Sequence, residues 1–168
     1  MTNVLVAFAT KGGTTQSIAE RIGARLTAAG HQATVVPVQD NPDPRAYEAV
    51  IVGSGILANS VYSASGKWLT ARKSHLVGRR VAVFVTCLSV MSEDGQEHES
   101  AIRFPDQLAS VLPQPPVAST VFPGSYDPKS RTWWERVIMG LIRSPKGDFT
   151  DWDKVDAWAE DLAARFNS

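Results

Sequence analysis

Cysteine is almost absent from this chain of 168 residues, which contains Cys87 and no other. A single cysteine cannot form an internal disulfide, and it excludes the paired-cysteine motifs of thiol redox proteins and of many zinc sites. Histidine is scarce as well, and His31, His75 and His98 match no metal-binding or catalytic-triad pattern. We therefore expect no metal site, and we interpret Cys87 as a small buried apolar residue.

The chain also lacks an excess of either charge, because its 17 Lys and Arg residues balance 17 Asp and Glu residues. Without net charge there is no long-range field to attract nucleic acid, so we expect no nucleic-acid partner. Long hydrophobic runs are missing too, since the longest nearly apolar stretch, 81–91, is too short to cross a bilayer. Residues 1–3 lead directly into an apolar strand pattern without the features of a signal peptide, which favours a cytoplasmic location.

What the sequence does contain is a regular alternation of short apolar runs and amphipathic segments. The apolar runs predict five strands, over 4–9, 31–38, 49–53, 80–86 and 116–122. Helical patterns follow the first strand and cover 62–76 and about 95–112, where Pro105 should kink or restart the helix. The last helical pattern begins at Thr150 with a start that resembles a capping box. The alternation predicts one domain over 1–168, with a doubly wound parallel sheet of strand order 2-1-3-4-5 and an insert at about 123–150.

The first predicted strand ends in a loop rich in glycine and hydroxyl side chains. A strand that runs into such a loop and then into a helix presents backbone N–H groups and hydroxyls to one place, which is the geometry of an anion site. The glycines allow the backbone to approach the anion closely. We therefore predict a phosphate-binding loop (the phosphate loop) formed by Thr10, Lys11, Gly12, Gly13, Thr14 and Thr15. The alternative is an ordinary strand–helix connection with a threonine N-cap.

The composition of the phosphate loop narrows the kind of phosphate. The loop is neither the GxGxxG motif of dinucleotide sites nor the GxxxxGK[ST] motif of nucleoside triphosphate sites, so a single phosphate monoester fits best. The six residues resemble the phosphate loop of flavodoxins, roughly [ST]-x-T-G-x-T, with Gly12 where that family has a threonine. This resemblance implies a flavodoxin-like fold and FMN as the cofactor.

Two further loops are expected beside the same ligand, because ligands of doubly wound sheets lie beyond the carboxyl ends of the strands. In flavodoxins the corresponding segments hold the flavin ring. The resemblance therefore assigns to the ring a set of small, apolar and hydroxyl-bearing residues: Ser54, Gly55, Ile56, Leu57, Ala58 and Asn59, with Thr86, Cys87, Leu88 and Ser89. Neither loop contains an aromatic residue, Tyr62 being the nearest, so we expect one ring face to be open to a substrate, unless Leu57, Val90 or Met91 covers it.

The segment 131–143, inside the predicted insert, has strong helical periodicity. Its apolar stripe consists of Trp134, Val137, Ile138, Leu141 and Ile142, with basic residues around it. This pattern is typical of a helix that lies on an anionic membrane or binds an acidic amphipathic substrate. It fits equally a helix that caps one edge of the sheet. We assign Trp133, Trp134 and Arg136 to the substrate or membrane surface.

The residues 131–142 and 150–152 extend the resemblance, together with Tyr62-Ser63 and the phosphate loop. They resemble the menaquinone-dependent protoporphyrinogen IX dehydrogenases, a flavodoxin-fold family of heme biosynthesis. The resemblance implies an FMN-dependent oxidoreductase that passes electrons from an organic donor, such as a porphyrinogen, to a quinone. The flavin carries the chemistry, so no side chain is expected to be catalytic.

If 131–143 is an interfacial helix and not a cap on the sheet edge, its pattern predicts peripheral contact with the inner face of the cell membrane. One alternative is a flavodoxin-type electron carrier for a protein redox partner, against which the absence of net negative charge argues. A second is a domain without flavin that serves only for association.

Overall fold

The central sheet is built from the apolar runs. In the computed structural model, which describes residues 1–126 and 147–168, the parallel strands are β1 (Asn3–Ala9), β2 (Gln32–Pro37), β3 (Ala49–Leu57), β5 (Arg80–Thr86) and β6 (Ala118–Phe122). Their order is β2-β1-β3-β5-β6, which confirms the predicted topology. A short strand that the sequence pattern does not predict, β4 (Ser60–Val61), pairs antiparallel with the end of β3.

Helices cover both faces of the sheet. The described helices are α1 (Thr14–Ala28), α2 (Ser63–Arg72), α3 (Gly95–Ile102), α4 (Phe104–Ala109) and α5 (Trp152–Asn167). Along β1, Val4, Val6 and Phe8 pack with α1 and α5, whereas the alternate residues pack with the other helices. The side chains that β1 presents to each of these two cores are apolar, as expected for a parallel strand buried on both faces. Among these described helices, none is long and apolar enough to span a membrane.

The predicted helices are present, with small differences in their bounds. The segment predicted over 95–112 divides at Arg103 into α3 and α4, which confirms the break expected at Pro105. The proline lies in the first turn of α4, where the loss of its N–H is least destabilising. The segment predicted over 62–76 is helical to Arg72 and continues as a 3-10 turn, Lys73–Leu76. The last helix is capped by Asp151, which accepts a hydrogen bond from Lys154 N at 3.0 Å, and not by Thr150.

Of the predicted insert, the structure describes only the two ends. They form an antiparallel pair, β7 (Ser125–Tyr126) and β8 (Gly147–Asp148), in which Ser125 is opposite Asp148. The segment 131–143, with Trp133, Trp134 and Arg136, lies outside the described residues. The described ends of the insert lie at the carboxyl end of the sheet, because β7 follows β6 there.

Candidate functional site

The turn between β1 and α1 depends on a glycine in an unusual backbone conformation. Gly13 is the N-cap residue of α1 and has a φ of 84°, in the left-handed region that glycine occupies without steric penalty. Its N–H donates to Thr10 Oγ1 at 3.0 Å, and its carbonyl accepts from Ser17 N at 3.0 Å. The alternative of a threonine N-cap is therefore wrong. Because Gly13 has no side chain to cap the helix, the N–H groups of the first turn are available to a ligand.

Hydroxyl groups from three elements meet at this helix end. Thr15 Oγ1 lies 2.8 Å from Thr86 Oγ1 at the end of β5, and both residues are buried. Thr14 Oγ1 lies 2.5 Å from Ser125 Oγ on β7. Each hydroxyl has one proton to donate and two lone pairs to accept. The cluster of Thr14, Thr15, Thr86 and Ser125, which we call the hydroxyl cluster, is thus a set of neutral donors beside an open helix N-terminus.

A cavity of about 340 Å³ opens from the hydroxyl cluster along the carboxyl edge of the sheet, within the size range of small-molecule sites. Most of the predicted cofactor residues line it. They are Thr10, Gly12, Thr14, Thr15, Gly55, Ile56, Ala58, Asn59, Thr86, Cys87, Leu88 and Ser89. The three loops predicted from the sequence therefore surround one cavity. Thr86, which the sequence analysis placed at the ring, has its hydroxyl against the phosphate loop.

The remaining predicted residues have other surroundings. Lys11 and Leu57 line a neighbouring cavity of about 330 Å³, which shares Thr10 and Tyr62 with the first. Lys11 Nζ lies 5.9 Å from the centre of the Tyr62 ring, a distance typical of a cation–π contact. Ser54 is fully buried; its Oγ donates to Gly55 O at 3.0 Å and accepts from Tyr62 N at 3.1 Å. Ser54 therefore fixes the shape of the loop after β3.

Four residues that the sequence analysis did not assign also line the cavity: Tyr62, Phe104, Gly124 and Ser125. Tyr62 and Phe104 lie outside the two ring loops. The cavity therefore has aromatic walls, although those loops contain no aromatic residue. The Tyr62 ring packs directly on the backbone of Gly55, where an added Cβ would lie 2.6 Å from Tyr62 Cε2. A side chain at Gly55 would therefore displace the tyrosine.

Cys87 is the apolar residue that its sequence context indicated. It is 6% exposed in the cavity wall, and its N–H donates to Phe122 O at 3.0 Å. Burial raises the pKa of its thiol, although hydrogen bonds from Ser89 and Val90 partly oppose this effect. The thiol is therefore protonated at neutral pH, and a protonated thiol is a poor nucleophile.

A family comparison agrees with this geometry. The family model described as "Flavodoxin domain" matches residues 5–153. This chain belongs to the flavodoxin-domain family. A search of curated proteins found no match.

Solved flavodoxins share the fold of this flavodoxin-domain chain at low sequence identity. A flavodoxin from the domain Archaea is 16% identical, with 99% of each chain covered and a TM-score of 0.61. A short-chain flavodoxin associated with a non-canonical PDU bacterial microcompartment is 12% identical, with 99% of each chain covered and a TM-score of 0.61. Fusobacterium nucleatum flavodoxin bound to flavin mononucleotide is 15% identical, with 76% of this chain and 73% of that chain covered and a TM-score of 0.54. The predicted flavodoxin-like fold is confirmed.

The cavity of this flavodoxin-domain chain has two chemically different ends. One end carries the hydroxyl cluster and the first turn of α1, which suit a phosphate group. The other end is formed by small and apolar residues, among them Ile56, Ala58, Leu88 and Phe104. Such walls suit a flat heterocycle held by packing and by backbone groups. The site can therefore hold an elongated ligand with a phosphate at one end and a planar ring at the other.

Proposed function

We propose that this chain binds FMN in the cavity between residues 10–15, 54–60 and 86–92 and uses it for electron transfer. The observation that carries the proposal is the hydroxyl cluster at the uncapped N-terminus of α1, at the end of a cavity with apolar walls. The cofactor is FMN, as membership of the flavodoxin-domain family also indicates. When bound, the flavin supplies hydride and single-electron chemistry, so the protein needs no acid–base side chain of its own.

The residues of the site divide into two roles. Thr10, Thr14 and Thr15 donate to the phosphate together with the N–H groups of the first turn of α1, whose dipole favours negative charge. All of these donors are neutral, so they recognise the phosphate through hydrogen bonds and the helix dipole. At the other end, Tyr62 and Phe104 are 8% and 5% exposed, and their rings exclude water from the cavity wall.

Within this function, we propose a quinone-linked oxidoreductase that takes electrons from a small organic donor, with a porphyrinogen as one candidate. The resemblance of 131–142 and 150–152 to quinone-dependent dehydrogenases supports this proposal, as does the absence of net negative charge that a carrier would use for docking. The described ends of the insert are also compatible with it, because Gly124 and Ser125 line the cavity. We further propose that Trp133, Trp134 and Arg136 contact the substrate or the cytoplasmic face of a membrane.

A flavodoxin-type electron carrier is the second candidate. The observation that favours it is the presence of Tyr62 and Phe104 in the cavity wall, since aromatic walls restrict the approach of a bulky donor to a bound ring. Its partner would be a small redox protein.

Anaerobic reoxidation separates the two candidates. The FMN-loaded protein is photoreduced and mixed either with a soluble menaquinone analogue or with a small redox protein such as a cytochrome. Rapid reoxidation by the quinone alone supports the oxidoreductase, and rapid reoxidation by the protein alone supports the carrier. A chain that takes up no FMN would contradict both.

Trp134 and Arg136 are tested by the double substitution Trp134→Ala/Arg136→Ala. We expect FMN affinity to stay unchanged and quinone-linked turnover to fall, because the loss concerns the contact surface and not the cofactor site. Lys67→Ala, an exposed change on α2, is the matched control. Unchanged turnover in the double variant would remove the insert from the mechanism.

A further inference from the structure

Ser125 occupies a position at the cofactor site that its place in the sequence does not suggest. It follows β6 and is 111 residues away from Thr14, yet the two hydroxyl oxygens lie 2.5 Å apart. The preceding residue, Gly124, is buried, and an added Cβ there would lie 3.7 Å from Thr14 Cγ2 and 3.8 Å from Thr86 Cβ. The chain therefore crosses directly over the end of the phosphate loop as it leaves the sheet.

The position of Ser125 is fixed by backbone pairing. Ser125 lies opposite Asp148 in the β7–β8 pair, and Phe149 N donates to Gly124 O at 3.2 Å. A strand pair holds a side chain more precisely than an isolated loop does. Ser125 is therefore held at the cavity wall by its pairing with β8 and by the hydrogen bond from Phe149 to the preceding residue.

The chemistry of the Thr14–Ser125 contact is that of two neutral hydroxyls which share one hydrogen bond. Thr14 is the first residue of α1, so its hydroxyl lies at the helix end that attracts anions. Two hydroxyls at this distance use one proton between them, and the other proton remains to be donated. A phosphate oxygen is a stronger acceptor than a hydroxyl because it is charged.

We propose that Ser125 Oγ is a direct ligand of the FMN phosphate, supplied from outside the phosphate loop. This inference rests on the proposed FMN site and adds one residue to it. Gly12 contributes no hydroxyl to the loop, and Ser125 supplies a donor to the same end of the cavity. The contact also joins the phosphate to the β7–β8 pair, so phosphate binding stabilises the pairing at both ends of the insert.

The test compares FMN with riboflavin, which has the same ring and no phosphate. The 168-residue chain and its Ser125→Ala variant are titrated with each ligand by quenching of flavin fluorescence. A hydrogen bond to a charged group contributes enough that its loss should weaken FMN binding about tenfold to hundredfold. Riboflavin affinity should not change. Ser125→Thr should retain most of the FMN affinity, because it keeps the hydroxyl.

The matched control is Ser119→Ala, an exposed serine on β6, which should change neither affinity. Equal loss of FMN and riboflavin affinity in Ser125→Ala would overturn the proposal, because it would indicate general disturbance of the cavity. Unchanged FMN affinity would overturn it as well. Failure of the wild-type chain to bind FMN would instead refute the proposed function itself.

Hydrogen exchange on the wild-type chain provides a second measurement that needs no variant. FMN should slow exchange of the Phe149 amide, which is bonded to Gly124 O, more than saturating riboflavin does. Equal protection by the two ligands would contradict a phosphate contact at Ser125.

Discussion

Replacement of Gly55 by alanine should force Tyr62 out of its place in the cavity wall. The new Cβ would lie 2.6 Å from Tyr62 Cε2, 3.3 Å from Cζ and 3.4 Å from Cδ2. Non-bonded carbon atoms prefer a separation of about 3.5–4.0 Å, so the ring has to move by roughly 1 Å. The backbone cannot easily follow, because Tyr62 N lies within hydrogen-bond distance of both Gly55 O (3.3 Å) and Ser54 Oγ (3.1 Å).

The expected cost of this overpacking is about 1–3 kcal/mol of unfolding free energy. For a domain of this size, that loss lowers Tm by about 2–12 °C. Gly66→Ala is the control, because nothing lies within 4 Å of a Cβ built at that position on α2. Alanine in a helix interior stabilises by about 0.5–1 kcal/mol relative to glycine, so this variant should not lose stability.

A double-mutant cycle with Tyr62→Ala assigns the cost to the ring. Urea denaturation is measured for wild type, Gly55→Ala, Tyr62→Ala and the double variant. In the Tyr62→Ala background, Gly55→Ala should cost less than about 0.5 kcal/mol, because the atoms that it meets are gone. An equal cost in both backgrounds would refute the packing argument and with it the role of Gly55 in positioning Tyr62.

Two further predictions concern α5. Asp156 lies beside Arg21 and Arg25, whose hydrogen bonds hold the pKa of its carboxyl well below the usual range. Asp156→Asn should therefore lower Tm at pH 7. The difference in Tm from wild type should shrink as the pH falls below about 4, the pKa of this carboxyl in the unfolded state. A Tm difference that stays constant down to pH 2 would contradict this. Asp151→Ala removes the cap on Lys154 N and should cost about 0.5–2 kcal/mol in urea denaturation, while Asp151→Asn should cost less; equal losses would argue against capping.

The sheet and the phosphate loop could be predicted because their signals lie in consecutive residues. Strand β1 is a continuous apolar run. The glycines and hydroxyl side chains at the start of the next helix all lie within the six consecutive residues 10–15. The strand order then followed from the alternation of strands and helices and from the resemblance to flavodoxins. Nothing in this part of the prediction depended on a distant contact.

The remaining cavity walls could not be predicted because they depend on contacts between distant segments. Phe104 lines the cavity from the start of α4; Pro105 predicts a break in the helix there, but not which side chain faces the cavity. Ser125 meets Thr14 only after the whole sheet has formed. Tyr62 is the aromatic residue nearest to the two ring loops in the sequence, but its packing on Gly55 depends on the β3–β4 hairpin, which is too short to give an alternating pattern.

Titration of the purified 168-residue chain with FMN tests the central claim most directly. The account predicts saturable uptake of one FMN per chain, with quenched flavin fluorescence and affinity well above that for riboflavin, because the helix end and the hydroxyl cluster bind the phosphate. A chain that remains colourless after incubation with excess FMN and removal of free ligand would contradict it.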